Sequence, residues 1–166
     1  MVSLLLSHPR VAVNLQDRDG LTPLLRSCQN GCSEVARLLL TDARVAASVH
    51  DLHNRTALWW SAWNCVTETV ESLIASGKAL DVHRAGCLTF AVQEYQPTEG
   101  DVEVEENYTA LEIARECGYY DIVDLLERLL DNPAQTTDEI RRRIQWCRPS
   151  VVLFATSVFL QEGFFR

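Results

Sequence analysis

Several side chains that carry chemistry in other proteins lie close together in this 166-residue chain, but none completes a catalytic or metal-binding motif. Asp51 and His53 are near neighbours, yet an acid–base dyad also needs a third group and a substrate pocket. Asp17 and Asp19 precede Gly20 as in a calcium loop, but the further oxygen ligands and the closing glutamate are missing. Phosphate-binding glycine loops, nucleophile elbows and zinc-protease motifs do not occur in the sequence. We therefore expect no catalytic residue, no metal site and no cofactor.

Six cysteines are the other reactive side chains, and only Cys28 and Cys32 lie close to one another in sequence. A zinc site needs a second ligand pair at a defined spacing, which the sequence lacks. The amino terminus resembles no secretory signal, so we predict buried free thiols in a reducing compartment rather than disulfides. The expected location is intracellular, in the cytoplasm, with the nucleus as the alternative.

Composition and charge exclude several classes of protein. The 15 basic residues are outnumbered by 23 acidic residues, and the resulting net charge of −8 repels phosphate backbones, so we expect no nucleic-acid partner. A hydrophobic content of 47% with only 7 Gly and 5 Pro excludes collagen-like and wholly disordered chains. The longest apolar run falls short of the ~18 residues that a membrane span needs, so we expect no membrane association.

The strongest signal in the sequence is an internal repeat of 34 residues. Thr22-Pro23-Leu24 recurs at that offset as Thr56-Ala57-Leu58 and, after a 19-residue insertion, as Thr109-Ala110-Leu111. Each threonine can cap a short helix, and the apolar spacing predicts a second helix after a turn. Helices this short are stable only when neighbouring copies stack, which predicts a solenoid. The equivalent residues predicted to form the core between repeats are Leu39, Leu73 and Leu126.

The pattern formed by Gly20-Leu21-Thr22-Pro23-Leu24, Asn30-Gly31 and Leu38-Leu39-Leu40 resembles the ankyrin repeat. The resemblance implies an all-α solenoid of antiparallel helix pairs joined by hairpin fingers, followed by a helical carboxy-terminal cap. The array is predicted over residues 1–130 and the cap over residues 131–166. Within the array we expect a half repeat at 2–16, repeats at 17–50, 51–82 and 107–130, and an insertion loop at 83–106.

The resemblance also implies a function: a non-enzymatic, monomeric module that binds another protein on its concave face. The alternative is a regulatory or structural part of a larger protein, whose array packs on its own neighbouring domain. The chain begins inside what should be the second helix of a repeat, which favours that alternative. The family's variable positions, which are the predicted contact residues, are on the fingers Arg18, Asp19, Leu21, Leu52, His53, Arg55 and Tyr108, and on the inner helices Gln29, Trp63 and Glu116.

Tryptophans mark the second repeat. Trp60 occupies a position that is normally buried in the family, so we predict that it belongs to the core. Trp63 occupies a variable position, where it either anchors a partner or packs beneath the insertion. Asn54 and Cys65 replace glycines of the family pattern and are expected to have positive φ, which costs cysteine about 1 kcal/mol or more.

The insertion is strongly acidic, with five carboxylates in residues 97–106. Its alternating acids and valines fit a short strand, but two valines offer little apolar surface to bury. We therefore predict a solvated acidic loop that attracts a basic partner.

Beyond the third repeat, Asn132-Pro133 is expected to end a helix, and Thr136 with Glu139 forms a capping box that predicts the start of another. The arginines at 141–143 suggest a nuclear signal, a phosphate site or a solvated face paired with Asp138 and Glu139, and we favour the solvated face. An apolar helix is predicted over 150–161, where it either caps the array or binds a partner. We favour capping by residues 138–163.

Overall fold

The computed structural model describes residues 2–91 and 103–146, and within these ranges the chain forms paired helices at the predicted repeats. The helix predicted over 150–161 lies outside the described residues. The helices and strands are α1 (Val2–Leu6), α2 (Pro23–Gln29), α3 (Ser33–Thr41), α4 (Ala57–Trp63), α5 (Thr67–Ser76), β1 (Gly86–Ala91), β2 (Glu103–Tyr108), α6 (Ala110–Glu116), α7 (Tyr120–Asp131) and α8 (Pro133–Arg143).

The repeated threonines start the inner helices α2, α4 and α6 as predicted. The hydroxyl oxygens of Thr22, Thr56 and Thr109 accept backbone N–H groups three residues ahead, at 3.2–3.3 Å. Pro23 occupies the first turn of α2, where its missing N–H costs no intrahelical bond. Each inner helix is therefore fixed at its amino end by local hydrogen bonds.

Stacking of equivalent helices forms the core. The inner helices pack in the order α2, α4, α6, and the outer helix α3 packs on both α1 and α5. Leu39, Leu73 and Leu126 are 4%, 0% and 2% exposed, so their predicted burial is confirmed. The α-solenoid predicted from the repeat is confirmed as well.

A cation from the following element holds the end of each of three outer helices. Arg44 Nη2 donates to the carbonyl of Leu6 in α1 at 2.8 Å. Lys78, which is 34 residues further on, donates through Nζ to two carbonyls just beyond α3, both at 2.8 Å. Arg141 Nε donates to the carbonyl of Ala75 in α5 at 2.7 Å. These cations satisfy the carbonyl groups that helix ends leave unpaired and oppose the negative end of each helix dipole.

The insertion begins and ends as a β-hairpin, so the prediction of a solvated loop over 83–106 is wrong for the described residues. β1 and β2 pair antiparallel, with Gly86 opposite Tyr108 and Ala91 opposite Glu103. The pairing is fixed at its base because Cys87 N–H donates to the carbonyl of His53 at 2.8 Å. Backbone pairing of this kind does not need the apolar surface whose absence favoured a loop.

The base of the hairpin sits closely on the second repeat. A Cβ added at Gly86 would lie 2.5 Å from Arg55 Cγ and 2.9 Å from Trp59 Nε1, so only glycine fits there. Trp59 Nε1–H donates to the carbonyl of Tyr108 at 2.8 Å. The two strands therefore leave the array from a fixed position.

Asn54 and Cys65 have φ of 60° and 56°, which confirms the predicted left-handed backbone. Cys65 is exposed, so its side chain contributes little packing that would offset the strain. We expect Cys65→Gly to raise the free energy of unfolding by about 0.5–1 kcal/mol, because glycine adopts positive φ without strain. Urea denaturation checks this, with Cys65→Ala as the control that keeps the strain. A midpoint equal to that of Cys65→Ala would contradict the expectation.

The start predicted for the next helix is wrong. α8 begins at Pro133, in the first-turn position that proline favours, and not at a capping box formed by Thr136 and Glu139. Thr136 instead donates its hydroxyl to the carbonyl of Arg128 at 2.8 Å, and Glu139 pairs with that arginine's guanidinium. Tertiary contact with α7 has replaced local capping.

The three arginines at the end of α8 contribute to packing, which corrects the prediction of a solvated face paired with Asp138 and Glu139. Arg143 pairs with Glu71 of α5 at 2.5 Å, and Arg141 lies 3.7 Å from Asp138 besides bonding the end of α5. Only Arg142 is confined to its own helix, through the carbonyl of Asp138 at 3.2 Å. α8 is thus attached to the array by charged as well as apolar contacts.

We propose that α8 begins the carboxy-terminal cap, because it packs on α5 and α7 and buries Ile140 to 2% exposure. Ile140→Ala should lower the free energy of unfolding by about 2–3 kcal/mol, since it removes buried methyl groups and leaves a cavity. Thermal unfolding measures the loss, with the exposed Arg142→Ala as the control. Equal midpoints for the two variants would contradict capping.

Candidate functional site

The second finger is organised around a buried carboxylate. Asp51 Oδ1 accepts the N–H groups of His53 and Arg55, both at 2.9 Å. Its Oδ2 accepts Arg55 Nε at 2.8 Å and Trp60 Nε1 at 3.2 Å, and the side chain is 0% exposed. Four donors to one carboxylate fix both the turn and the arginine.

The first finger repeats this arrangement near the surface. Asp17 Oδ1 accepts the N–H groups of Asp19 and Leu21 at 3.0 Å, and Oδ2 pairs with Arg26 at 2.5 Å. Arg26 occupies the position that Trp60 occupies 34 residues later. The hydrogen bond from Arg26 is the largest cause that holds the pKa of Asp17 below its usual value. The same turn is therefore completed by an arginine in one repeat and by a tryptophan in the next.

Successive fingers lie side by side. Leu52 N–H donates to the carbonyl of Asp19 at 3.3 Å, and Cys87 N–H donates to the carbonyl of His53 at 2.8 Å. The backbone of each finger is thus linked to the next one. The fingers and the β1–β2 hairpin form one continuous row.

The tryptophans of α4 form a stacked cluster behind that row. Trp59 and Trp60 are 0% and 7% exposed, which confirms the core position predicted for Trp60. The Trp63 ring stacks on Trp59 with centroids 5.8 Å apart, so Trp63 is half-buried and keeps an accessible part. The Arg55 guanidinium lies 4.3 Å from the Trp60 ring centroid, a cation–π contact.

The structure distributes the predicted contact residues among three environments. Leu21 is 4% exposed and belongs to the core, which removes it from the predicted surface, because its position directly before α2 turns it inward. Leu52 at the second finger is 71% exposed. The other exposed members are Arg18, Asp19, His53 and Glu116, and the half-buried members are Gln29, Arg55, Trp63 and Tyr108.

An acidic group surrounds Tyr108, and sequence reasoning identified only part of it. The Tyr108 hydroxyl donates to Glu106, and this bond is the largest cause that raises the pKa of Tyr108, followed by burial and the charges of Glu106, Glu116 and Glu112. Glu112 also closes the capping box of α6 by accepting from Thr109 N at 2.7 Å. The missed residues were Glu106, hidden in the insertion, and Glu112, whose departure from the family histidine was the available signal.

The five described cysteines are free thiols, and their burial differs from the prediction. Cys28 is buried, but Cys32 and Cys65 are exposed. Burial raises the pKa of Cys28 to about 11, although weak hydrogen bonds from neighbouring serines oppose the shift.

We expect Cys28 to react with iodoacetamide at pH 8 at least about 100-fold more slowly than Cys65. The raised pKa lowers the thiolate fraction by roughly two orders of magnitude at any pH well below 9, and burial limits access further. Peptide mass spectrometry of the native protein measures both rates, and labelling in urea provides the control. Equal native rates would show that Cys28 is accessible.

The described residues hold no group of three or more His, Cys, Asp and Glu placed to bind a metal ion. Over the same ranges, none of the helices combines the length and the apolar character that crossing a bilayer requires. An apolar groove of about 420 Å³ lies between α5, α7 and α8, but it lacks converging acidic groups.

Comparison with known families gives one result. A family model described as ankyrin repeats (3 copies) matches residues 1–85, which is about half of the 166-residue chain. The matched range contains α1 to α5, whereas α6 and α7 follow the insertion. No curated protein matches the sequence significantly.

Proposed function

Because the chain belongs to the ankyrin-repeat family, whose members are in general non-enzymatic protein-interaction modules, we propose that it binds a partner protein across its fingers and inner helices. One observation carries the proposal: Leu52 is 71% exposed on a turn that the buried Asp51 holds rigid. An apolar side chain presented on a fixed backbone is suited to enter a pocket of another protein.

The inner helices supply the second part of the proposed surface. Gln29, Trp63 and Glu116 occupy one register position on α2, α4 and α6, which pack side by side. Stacking on Trp59 holds Trp63 in place, so binding would cost little side-chain entropy. Tryptophan is also the residue type most enriched among those that dominate binding energy. The proposal concerns a monomeric, intracellular protein, with no role for nucleic acid or membrane.

Site-specific photo-crosslinking tests this face. A benzoylphenylalanine at Leu52 should crosslink a partner in extracts of the native cell. The same probe at Tyr120, which is 77% exposed at the start of outer helix α7, should not crosslink that protein. Trp63→Ala should reduce the crosslink from position 52 at least about fivefold. Preferential capture from position 120, or indifference to Trp63→Ala, would overturn the proposal.

A second function keeps specific support: packing of the array on a neighbouring domain of a larger protein. Leu4 and Leu5 of α1 are 75% and 52% exposed, and Leu15 is 72% exposed. Such apolar residues near one end of the array would suit a domain contact. Crosslinks abolished by Leu4→Ser/Leu5→Ser and unaffected by Trp63→Ala would favour this function over the first.

A further inference from the structure

The face between the second and third repeats combines aromatic rings with carboxylates. We call the residues Trp63, Glu106, Tyr108, Glu112 and Glu116 the acidic–aromatic patch. From it we infer that the protein binds an arginine- or lysine-containing segment of its partner, with the cation placed against the rings between the carboxylates. This inference rests on the proposed function, because it names the chemistry of the partner at that surface.

Three contacts bring the patch together. Trp59 stacks on Trp63 and donates its Nε1–H to the carbonyl of Tyr108, so one buried side chain positions both rings. Trp63 and Glu116 occupy the same register position on adjacent packed helices, whose axes lie about 8–10 Å apart. The hydroxyl of Tyr108 bonds Glu106, and it lies within electrostatic reach of the other two glutamates.

The carboxylates of the patch are not balanced by cations of this chain. Among the described residues, no arginine, lysine or histidine forms an ion pair with Glu106, Glu112 or Glu116. The neighbouring arginines have other partners, since Arg55 pairs with Asp51 and Arg115 with Glu127. The patch is therefore a region of net negative charge with no internal counterion.

The rest of the molecule favours a cation at the same place. The net charge of −8 attracts a basic segment from a distance, and the hairpin sequence adds three more glutamates and aspartates between residues 99 and 103. A guanidinium or ammonium gains from an aromatic face and from carboxylates together, whereas an acidic or purely apolar segment gains from only one or from neither.

Peptide binding with matched charge variants tests the inference. The probe is acetyl-Gly-Arg-Gly-Arg-Gly-Arg-amide, with its lysine and glutamate counterparts, titrated at low salt while the indole N–H signal of Trp63 is followed by NMR. We expect the arginine and lysine peptides to shift that signal and the glutamate peptide to leave it unchanged. Trp63→Phe assigns the signal.

Glu106→Gln/Glu116→Gln should weaken the arginine peptide at least about tenfold. Glu34→Gln/Asp131→Asn makes the same change in net charge at exposed outer-helix positions and should weaken it less than twofold. Equal weakening by both double variants, or an unmoved Trp63 signal, would overturn the inference. If the crosslink from position 52 still depends on Trp63 in that case, the proposed function stands and only the partner chemistry is wrong.

Discussion

Trp59→Ala should lower the free energy of unfolding by about 3–5 kcal/mol, the range for removing a buried tryptophan. Trp59 is 0% exposed, contacts both Trp60 and Trp63, and holds the base of the β1–β2 hairpin through Tyr108. Its loss leaves a cavity between α4 and the hairpin and an unpaired carbonyl. Urea denaturation followed by circular dichroism measures the change.

Trp59→Phe separates the packing effect from the hydrogen bond. Phenylalanine retains a ring but cannot donate to the carbonyl of Tyr108, so we expect a loss of only about 1–2 kcal/mol. Hydrogen exchange of the β1 and β2 amides should rise in both variants, because both release the base of the hairpin. Unchanged exchange in Trp59→Phe would mean that this bond does not anchor the strands.

Asp51→Ala should lower the free energy of unfolding by about 3 kcal/mol or more. The change removes an acceptor of four hydrogen bonds and leaves the partly buried Arg55 without its carboxylate. The expected loss is larger than that of an exposed ion pair, because water cannot replace a side chain that is 0% exposed. Thermal and urea unfolding both measure it.

Asp17→Ala is the matched control, since Asp17 forms the same turn 34 residues earlier with a side chain that is 41% exposed. Water can replace its bonds, so its loss should be markedly smaller than that of Asp51→Ala. Similar losses for the two variants would show that the turn itself, and not burial of the carboxylate, determines stability.

The repeat, its helix starts and its core could be predicted because they depend on local patterns that recur. The capping threonines and the leucines at 39, 73 and 126 recur at one spacing, and each copy supports the interpretation of the others. The positive φ of Cys65 was predictable for the same reason, from the glycines at equivalent positions.

The remaining features depend on contacts between distant parts of the chain. The hairpin at Gly86 is fixed by Trp59 and Arg55, and the start of α8 is fixed by Pro133 and Arg128 rather than by a local cap. Leu21 was placed on the surface from the family's variable positions, but its direction depends on how the first finger meets α2. Glu106 could not be connected with Tyr108 while the insertion was predicted to be a loop.

The cations that hold the outer helices impose an order on synthesis. A ribosome releases the chain from the amino terminus, and Lys78 emerges 36 residues after Asp42, the first carbonyl it binds. The end of α3 therefore stays frayed in a nascent chain until the following repeat has left the exit tunnel, and the end of α5 waits 66 residues for Arg141. Each nascent repeat is completed by the one behind it, so a chain stalled between repeats exposes an unfinished helix to chaperones and proteases.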